Sequence, residues 1–183
     1  MEYFDVLTED GTPTGESLPR DEVHSRGLWH GSVQAWVMNS AGQLLLQQRA
    51  HTKKTDPGLW DVSVCGHIAS GDDAIAAAIR EADEELGLKL ERDQFEHLFL
   101  YIHHNEHPLT DGSIRHERLI TPCYVIRAEV NLDVLKLEPT EVAAVRWVAL
   151  DELSKDLDQP NHRYAIRPDE WAQLLPLLHD KKI

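Results

Sequence analysis

Only two cysteines, Cys65 and Cys123, occur in 183 residues. That is too few for a disulfide framework, and a reducing compartment is the expected setting. No apolar run approaches the ~20 residues that a bilayer-spanning helix needs. The first residues, Met1-Glu2-Tyr3-Phe4-Asp5, have neither the basic start nor the apolar stretch of a signal peptide, so a cytoplasmic protein without a membrane partner is expected. Positive charge is scarce: 18 Lys and Arg against 32 Asp and Glu give a formal net charge of −14. A surface of that sign repels phosphate backbones and argues against a nucleic-acid polymer or an anionic membrane as partner. It does not argue against a small phosphorylated substrate, because a divalent cation held by carboxylates can join an acidic site to an anionic ligand. Repeats, low-complexity tracts and linkers are also missing, so residues 1–183 read as one domain, large enough to bury a core without staples.

What is present reads as strands interleaved with a few helices. Tyr3–Leu7 has the composition of a short strand, followed by a Gly- and Pro-containing turn region through Pro19. Gly31–Met38 and Gln43–Gln48 flank the turn residues Asn39-Ser40-Ala41-Gly42, a hairpin signal. A polar loop, Lys53 to Gly58, leads to a strand over Trp60–Cys65. Phe95–Ile102, Ile120–Val130 and Ala144–Val148 are further strand candidates, and Asp151–Leu157 and Pro168–His179 are expected helices. His103, His104, His107 and His116 fall in what reads as a polar loop. Such a mixture predicts an α/β fold in which a mixed β-sheet is sandwiched between α-helices.

The clearest helix spans Asp72–Leu86, where Ile75, Ala78, Ile79, Ala82 and Leu86 recur at helical spacing. Ser70 or Asp72 can cap its start and Gly87 its end. Around this helix Glu84 and Glu85 lie within roughly 60° either side of Glu81, so three carboxylates share a face opposite the apolar one. Their mutual repulsion would be offset by a hard cation with oxygen preference, Mg²⁺ being the usual choice when substrate phosphates complete the shell. Arg80, four residues before Glu84, can orient it through a charge-assisted hydrogen bond. Just upstream, the two glycines of Gly66-His67-Ile68-Ala69-Ser70-Gly71 permit close ligand approach. A bare acidic cluster of this kind is most often a solvated helix face; this preceding loop sets it apart.

Gly66, five residues, Asp72, seven residues, then Arg80-Glu81-Ala82-Asp83-Glu84-Glu85-Leu86-Gly87-Leu88 resembles the Nudix box, with Asp72 where that family usually has Glu. The resemblance implies a Nudix fold with its box at 66–88. It also implies Glu81, Glu84 and Glu85 as catalytic and metal-binding groups, the Gly66 carbonyl as a further ligand, and Mg²⁺ or Mn²⁺ as cofactor. Val145-Arg146-Trp147-Val148-Ala149-Leu150-Asp151-Glu152-Leu153 is similar to the last strand and helix of that fold.

The flanks, including Gly27-Leu28-Trp29-His30 and Lys53-Lys54-Thr55-Asp56-Pro57-Gly58-Leu59-Trp60-Asp61, resemble the isopentenyl-diphosphate-isomerase-like branch. That likeness implies Arg49 and Lys53 as diphosphate-binding cations. In true isomerases it would further imply Cys65 and Glu117 as the acid–base pair, His24, His30 and His67 as metal ligands, and Tyr101 and Tyr164 as active-site aromatics. Three features weigh toward hydrolysis: the box keeps all its glutamates, Arg115 breaks the isomerases' Glu-x-Glu pair before Glu117, and Tyr164 replaces the tryptophan suited to a carbocation. The expected function is therefore Mg²⁺-dependent cleavage of a diphosphate linkage in a nucleoside diphosphate derivative or similar small molecule. Isopentenyl-diphosphate isomerisation is the alternative, and a non-catalytic ligand-binding module the second. Monomer and homodimer are both left open.

Overall fold

The computed structural model describes residues 2–108, 112 and 114–179. Nine strands form one mixed sheet: β1 (Tyr3–Leu7), β2 (Pro13–Pro19), β3 (Trp29–Met38), β4 (Gln43–Arg49), β5 (Trp60–Asp61), β6 (Val64–His67), β7 (Glu96–Pro108), β8 (Ile114–Arg127) and β9 (Val142–Ala149). Among the described residues four α-helices accompany them: α1 (Arg20–Arg26), α2 (Ala74–Leu86), α3 (Leu150–Leu157) and α4 (Pro168–His179). Among the described residues, no helix is long and apolar enough to cross a membrane.

Strand β3 organises the sheet. One edge runs parallel to β8 from Trp29↔Arg118 to Met38↔Arg127. Its other edge is shared in succession by β1 at Trp29 and His30, β6 from Ser32 to Ala35, and β4 at Met38 alone. The hairpin read around Asn39–Gly42 therefore closes at Met38↔Leu44 and then splays. A tight turn starts it, with Asn39 donating its N–H to Gln43 O at 3.0 Å and Gly42 at φ 72°. Where the strands part, buried Ser63 accepts from Val37 N–H at 2.8 Å and donates to Leu45 O at 2.5 Å. This hydroxyl satisfies backbone groups on both strands that the missing ladder would leave unpaired. Ser63 is also why the expected strand 60–65 is interrupted: β5 pairs with β4, and β6 with β3.

Alternation along β3 divides the core. Val33, Ala35 and Val37 face α2 through its Ala77, Ala78, Ala82 and Leu86. Trp36 and Met38 face α3 and α4 through Leu150, Leu153, Trp171, Leu174 and Leu178. Helices thus cover both faces of the mixed sheet, as the sequence predicts.

Several segments differ from the sequence reading. Pro13–Pro19 is a strand rather than a turn; it lies at the sheet edge, where prolines are tolerated. Arg20–Arg26, read as no element, is a helix that buries only Val23 and His24. The histidine-rich stretch read as a loop forms the arms of a long hairpin, paired from Glu96↔Val125 to Pro108↔Ile114. Its register is dictated by β8, whose inner half is anchored on β3. Helix α2 starts two residues later than expected and is capped by Asp73, which accepts from Ala76 N–H at 2.9 Å. Its end is as read: Gly87 sits at φ 64°, and the Gly87 and Leu88 N–H groups bond back to Asp83 O and Ala82 O.

Candidate functional site

Strand β6 delivers three consecutive residues, Cys65, Gly66 and His67, to the place where the sheet opens. Gly66 lies against α2 so closely that a Cβ there would meet the Glu81 carboxyl carbon at 2.5 Å. Only glycine admits that approach of carboxylate to backbone. Strand β1 fixes the following loop: Ser70 donates its N–H to Tyr3 O at 2.8 Å, and Asp5 accepts from Ser70 Oγ–H at 2.6 Å and Gly71 N–H at 3.1 Å.

The three glutamates of α2 are not equivalent. Glu81 turns inward, its side chain 15% exposed, while Glu84 is 62% exposed. Arg80 Nη1 joins them, at 2.9 Å from Glu81 and 3.3 Å from Glu84, and Nη2 donates to His67 O at 3.4 Å. Glu85 accepts from Gln47 Nε2–H at 3.1 Å. Burial pushes the Glu81 carboxyl above the usual range. It pushes Glu85 up to about 7, Gln47 opposing and Glu81 adding to the shift. Two half-buried, mutually repelling acids packed against the backbone of Gly66 are oxygen donors that a hard divalent cation would satisfy.

Around these acids lie Cys65, Asp61, Arg49 and Lys53. The Cys65 thiol contacts Asp61 Oδ2 at 3.8 Å. Burial raises its pKa well above normal, with Asp61 and Glu85 adding to this, so it is a thiol at neutral pH. Arg49 is engaged by Asp61 at 3.0 Å and by Thr55 O at 3.0 and 3.2 Å, while Lys53 pairs with Glu141. Both cations thus stand beside the acidic group, already held by carboxylates of the chain.

A second group assembles on the other side of Gly66. His24, His30 and His67 bring one ring nitrogen each to within 4.8 Å of one another. The rings of His30 and His67 are stacked at 5.3 Å, and Phe4 stacks on them. Nδ1 of His24 lies 2.7 Å from Arg20 O and that of His30 lies 2.9 Å from Leu28 O. Each Nδ1 thus carries its proton and turns an Nε2 lone pair inward. Burial keeps all three rings neutral, His30 down to about 4. Nε2 of His30 and of His67 are buried without a partner, an arrangement that costs free energy unless a cation or water enters. Arg115 Nη2 lies 2.6 Å from His24 Nε2, and Arg115 Nε 3.3 Å from Glu117 Oε1. Burial would raise Glu117, but His107 and Arg115 outweigh it and hold the carboxylate low.

The two tyrosines are committed elsewhere. Tyr101 donates to Asp169 at 2.9 Å and stacks on His103 at 4.6 Å. Tyr164 donates to Asp156 at 2.7 Å and accepts from Arg146 at 2.8 Å.

Sequence reasoning missed Asp5, Gln47, Asp61 and Glu170. Gln47 carried a signal: strand alternation puts it on the face of buried Leu45, where an amide is out of place unless it serves a polar partner. Glu170, 2% exposed on α4 with Oε1 unpartnered, had none.

Sheet, box helix and glycine loop define an α/β protein of the Nudix type. The NUDIX domain family model matches residues 28–168. Nudix hydrolase 3 of Arabidopsis thaliana is 39% identical over 165 residues, 89% of this chain but 21% of that protein, so the chain spans about a fifth of its length. The isopentenyl-diphosphate Delta-isomerase of Pectobacterium atrosepticum is 33% identical over 169 residues, covering 92% of this chain and 86% of that one. Among solved structures, DR0079 of Deinococcus radiodurans superposes with a TM-score of 0.69 at 22% identity, covering 98% of both chains. The chain belongs to the NUDIX family, within the reach of its isopentenyl-diphosphate-isomerase-like members.

Proposed function

We propose that this chain is a Mg²⁺- or Mn²⁺-dependent hydrolase that cleaves a diphosphate linkage in a nucleoside diphosphate derivative or a similar small molecule. The observation that carries the reading is the inward turn of Glu81 and Glu85 onto Gly66 and Gln47, which leaves two mutually repelling acids with raised pKa values side by side on one helix. The family's hydrolase relative supports the same reaction class.

Glu81, Glu84 and Glu85 with the Gly66 carbonyl would hold the metal. A cation there supplies Lewis-acid charge to phosphate oxygens and a water whose pKa falls from about 15.7 toward neutrality. Gln47 orients Glu85, and Arg80 ties Glu81 to Glu84, so the acids are preset rather than recruited. A glutamate of the box or Glu117 takes the proton as water oxygen attacks phosphorus and the bridging P–O bond breaks. Products are an organic phosphate and either orthophosphate or a second phosphate ester. Arg49 and Lys53, beside the acids, would answer the charge of the departing phosphate on release from Asp61 and Glu141. The protein would work in the cytoplasm on a freely diffusing substrate.

Glu85→Gln keeps shape and removes the charge. Its metal-dependent hydrolysis should fall about 10²-fold or more. A panel of nucleoside diphosphates, sugar nucleotides, dinucleoside polyphosphates, coenzyme A and isopentenyl diphosphate, with products followed by phosphorus NMR, checks this. Wild-type turnover in the variant would remove the metal role.

A second reading, isopentenyl-diphosphate isomerisation, is favoured by the convergence of His24, His30 and His67 beside the strand that bears Cys65, and by the isomerase relative. Incubation with isopentenyl diphosphate and metal, followed by NMR, decides it: interconversion abolished by Cys65→Ala would replace the hydrolase reading.

A further inference from the structure

The three-histidine pocket contains a cation of the chain's own. Arg115 reaches in from β8, its side chain only 16% exposed. Its Nη2 donates at 2.6 Å to the Nε2 lone pair of His24, the atom that would otherwise face the pocket. Its Nε lies 3.3 Å from Glu117, two residues along the same strand face. The guanidinium thus engages one histidine and one carboxylate of this group. Burial lowers the Arg115 pKa, but Glu117 opposes that, and a guanidinium in such a setting stays charged.

We infer that Arg115 stands in the place of a metal ion and keeps the His24–His30–His67 pocket metal-free, which assigns the chain's divalent cation to the glutamate helix alone. The inference deepens the hydrolase reading and rests on it. Charge explains the effect. The three imidazoles are neutral, the Glu117 carboxylate is answered by Arg115, and Arg20 acts on His24 and His67 in the same positive sense, so a dication entering the pocket meets no net negative charge. It must also break the Arg115–His24 bond and lie beside a fixed positive group in a poorly solvated place. An acid at position 115 would have turned the same pocket into a site with two carboxylates.

The remaining geometry is nevertheless that of a ligand set. The Nε2 atoms of His30 and His67 are buried and without partners, and the Nδ1 contacts to Arg20 O and Leu28 O hold the His24 and His30 rings in the tautomer that offers Nε2. Orientation of this kind is what a metal site asks of its outer shell. Removing the guanidinium should therefore create a binding site rather than destroy one.

The test is Co²⁺ binding to the purified full chain, read by isothermal titration and by the visible absorption of histidine-ligated Co²⁺, with no substrate present. Wild type should lack the histidine-type spectrum. Arg115→Glu should acquire it, with at least about 10-fold tighter binding, and adding His30→Ala to that variant should abolish the gain. Arg115→Gln, which removes the charge without adding one, gives an intermediate gain and serves if the Glu variant does not fold. A histidine-type spectrum already present in wild type and lost in His30→Ala overturns the inference, as does the absence of any gain in both Arg115 variants. Failure of the hydrolase reading looks different: it appears as undiminished turnover in Glu85→Gln, a measurement that does not involve the histidines.

Discussion

At the residue scale, Glu170 is the least expected group in the chain. It lies on α4, 2% exposed, with Oε1 unpartnered. Burial first, then the negative Asp61, push its pKa up to about 8 despite the opposing Arg167. The folded state therefore holds a proton that the unfolded chain releases near the ordinary carboxyl value of 4.5. Stability from this group is complete below that value and is lost as pH rises through about 8. The loss should amount to a few kcal/mol, on the order of one pKa unit per 1.4 kcal/mol. Glu170→Gln cannot ionise, so its advantage over wild type should grow from about pH 5 to about pH 8.5 in urea unfolding. Parallel pH curves for the two proteins would mean that the carboxyl is ionised or solvated after all.

At the element scale, the β1 strand and the box loop form one unit that no motif contains. Asp5 accepts two hydrogen bonds from Ser70 and Gly71, and Tyr3 O a third. Asp5→Ala should cost about 1–2 kcal/mol, the worth of two lost bonds to a charged acceptor at an exposed place. Hydrogen exchange at the Gly71 amide should quicken while α2, capped by Asp73 and Gly87, keeps its protection. Equal acceleration throughout α2 would show that loop and helix open together. The same unit shows what a sequence can and cannot reveal. Helix α2 was legible because period, cap and glycine stop lie within one stretch, and its glutamates came with it. The histidines of α1, β3 and β6 meet only through tertiary packing, so a family likeness, not spacing, brought them to notice. Helix α1 was invisible because it buries two residues and carries no apolar period. The β7–β8 hairpin was underread because its histidines and Asn105 are poor strand formers, held extended by pairing with β8. Asp5, lying some 65 residues upstream of Ser70, carries no local mark at all.

At the scale of the whole molecule, the sign of the charge governs how an anionic substrate arrives. The chain carries −14, and the cations nearest the candidate site do not make a positive funnel. Arg49 is held by Asp61, Lys53 by Glu141, and Arg80 by Glu81 and Glu84. A diphosphate approaching through solvent should therefore meet net repulsion until it reaches a cation held by the box glutamates, as the proposed hydrolase would carry. Salt screens that repulsion over a Debye length of about 10 Å at 0.1 M. At saturating, fixed free Mg²⁺, kcat/KM for a small diphosphate should rise a few-fold between about 10 and about 150 mM KCl, the reverse of an enzyme that steers anions with a basic cleft. Because the effect acts on encounter, kcat itself should move little. A steep fall of kcat/KM with salt would mean that Arg49 and Lys53 leave their carboxylates before the substrate arrives and steer it in, placing the site's electrostatics in an opened cleft rather than in the paired arrangement seen here.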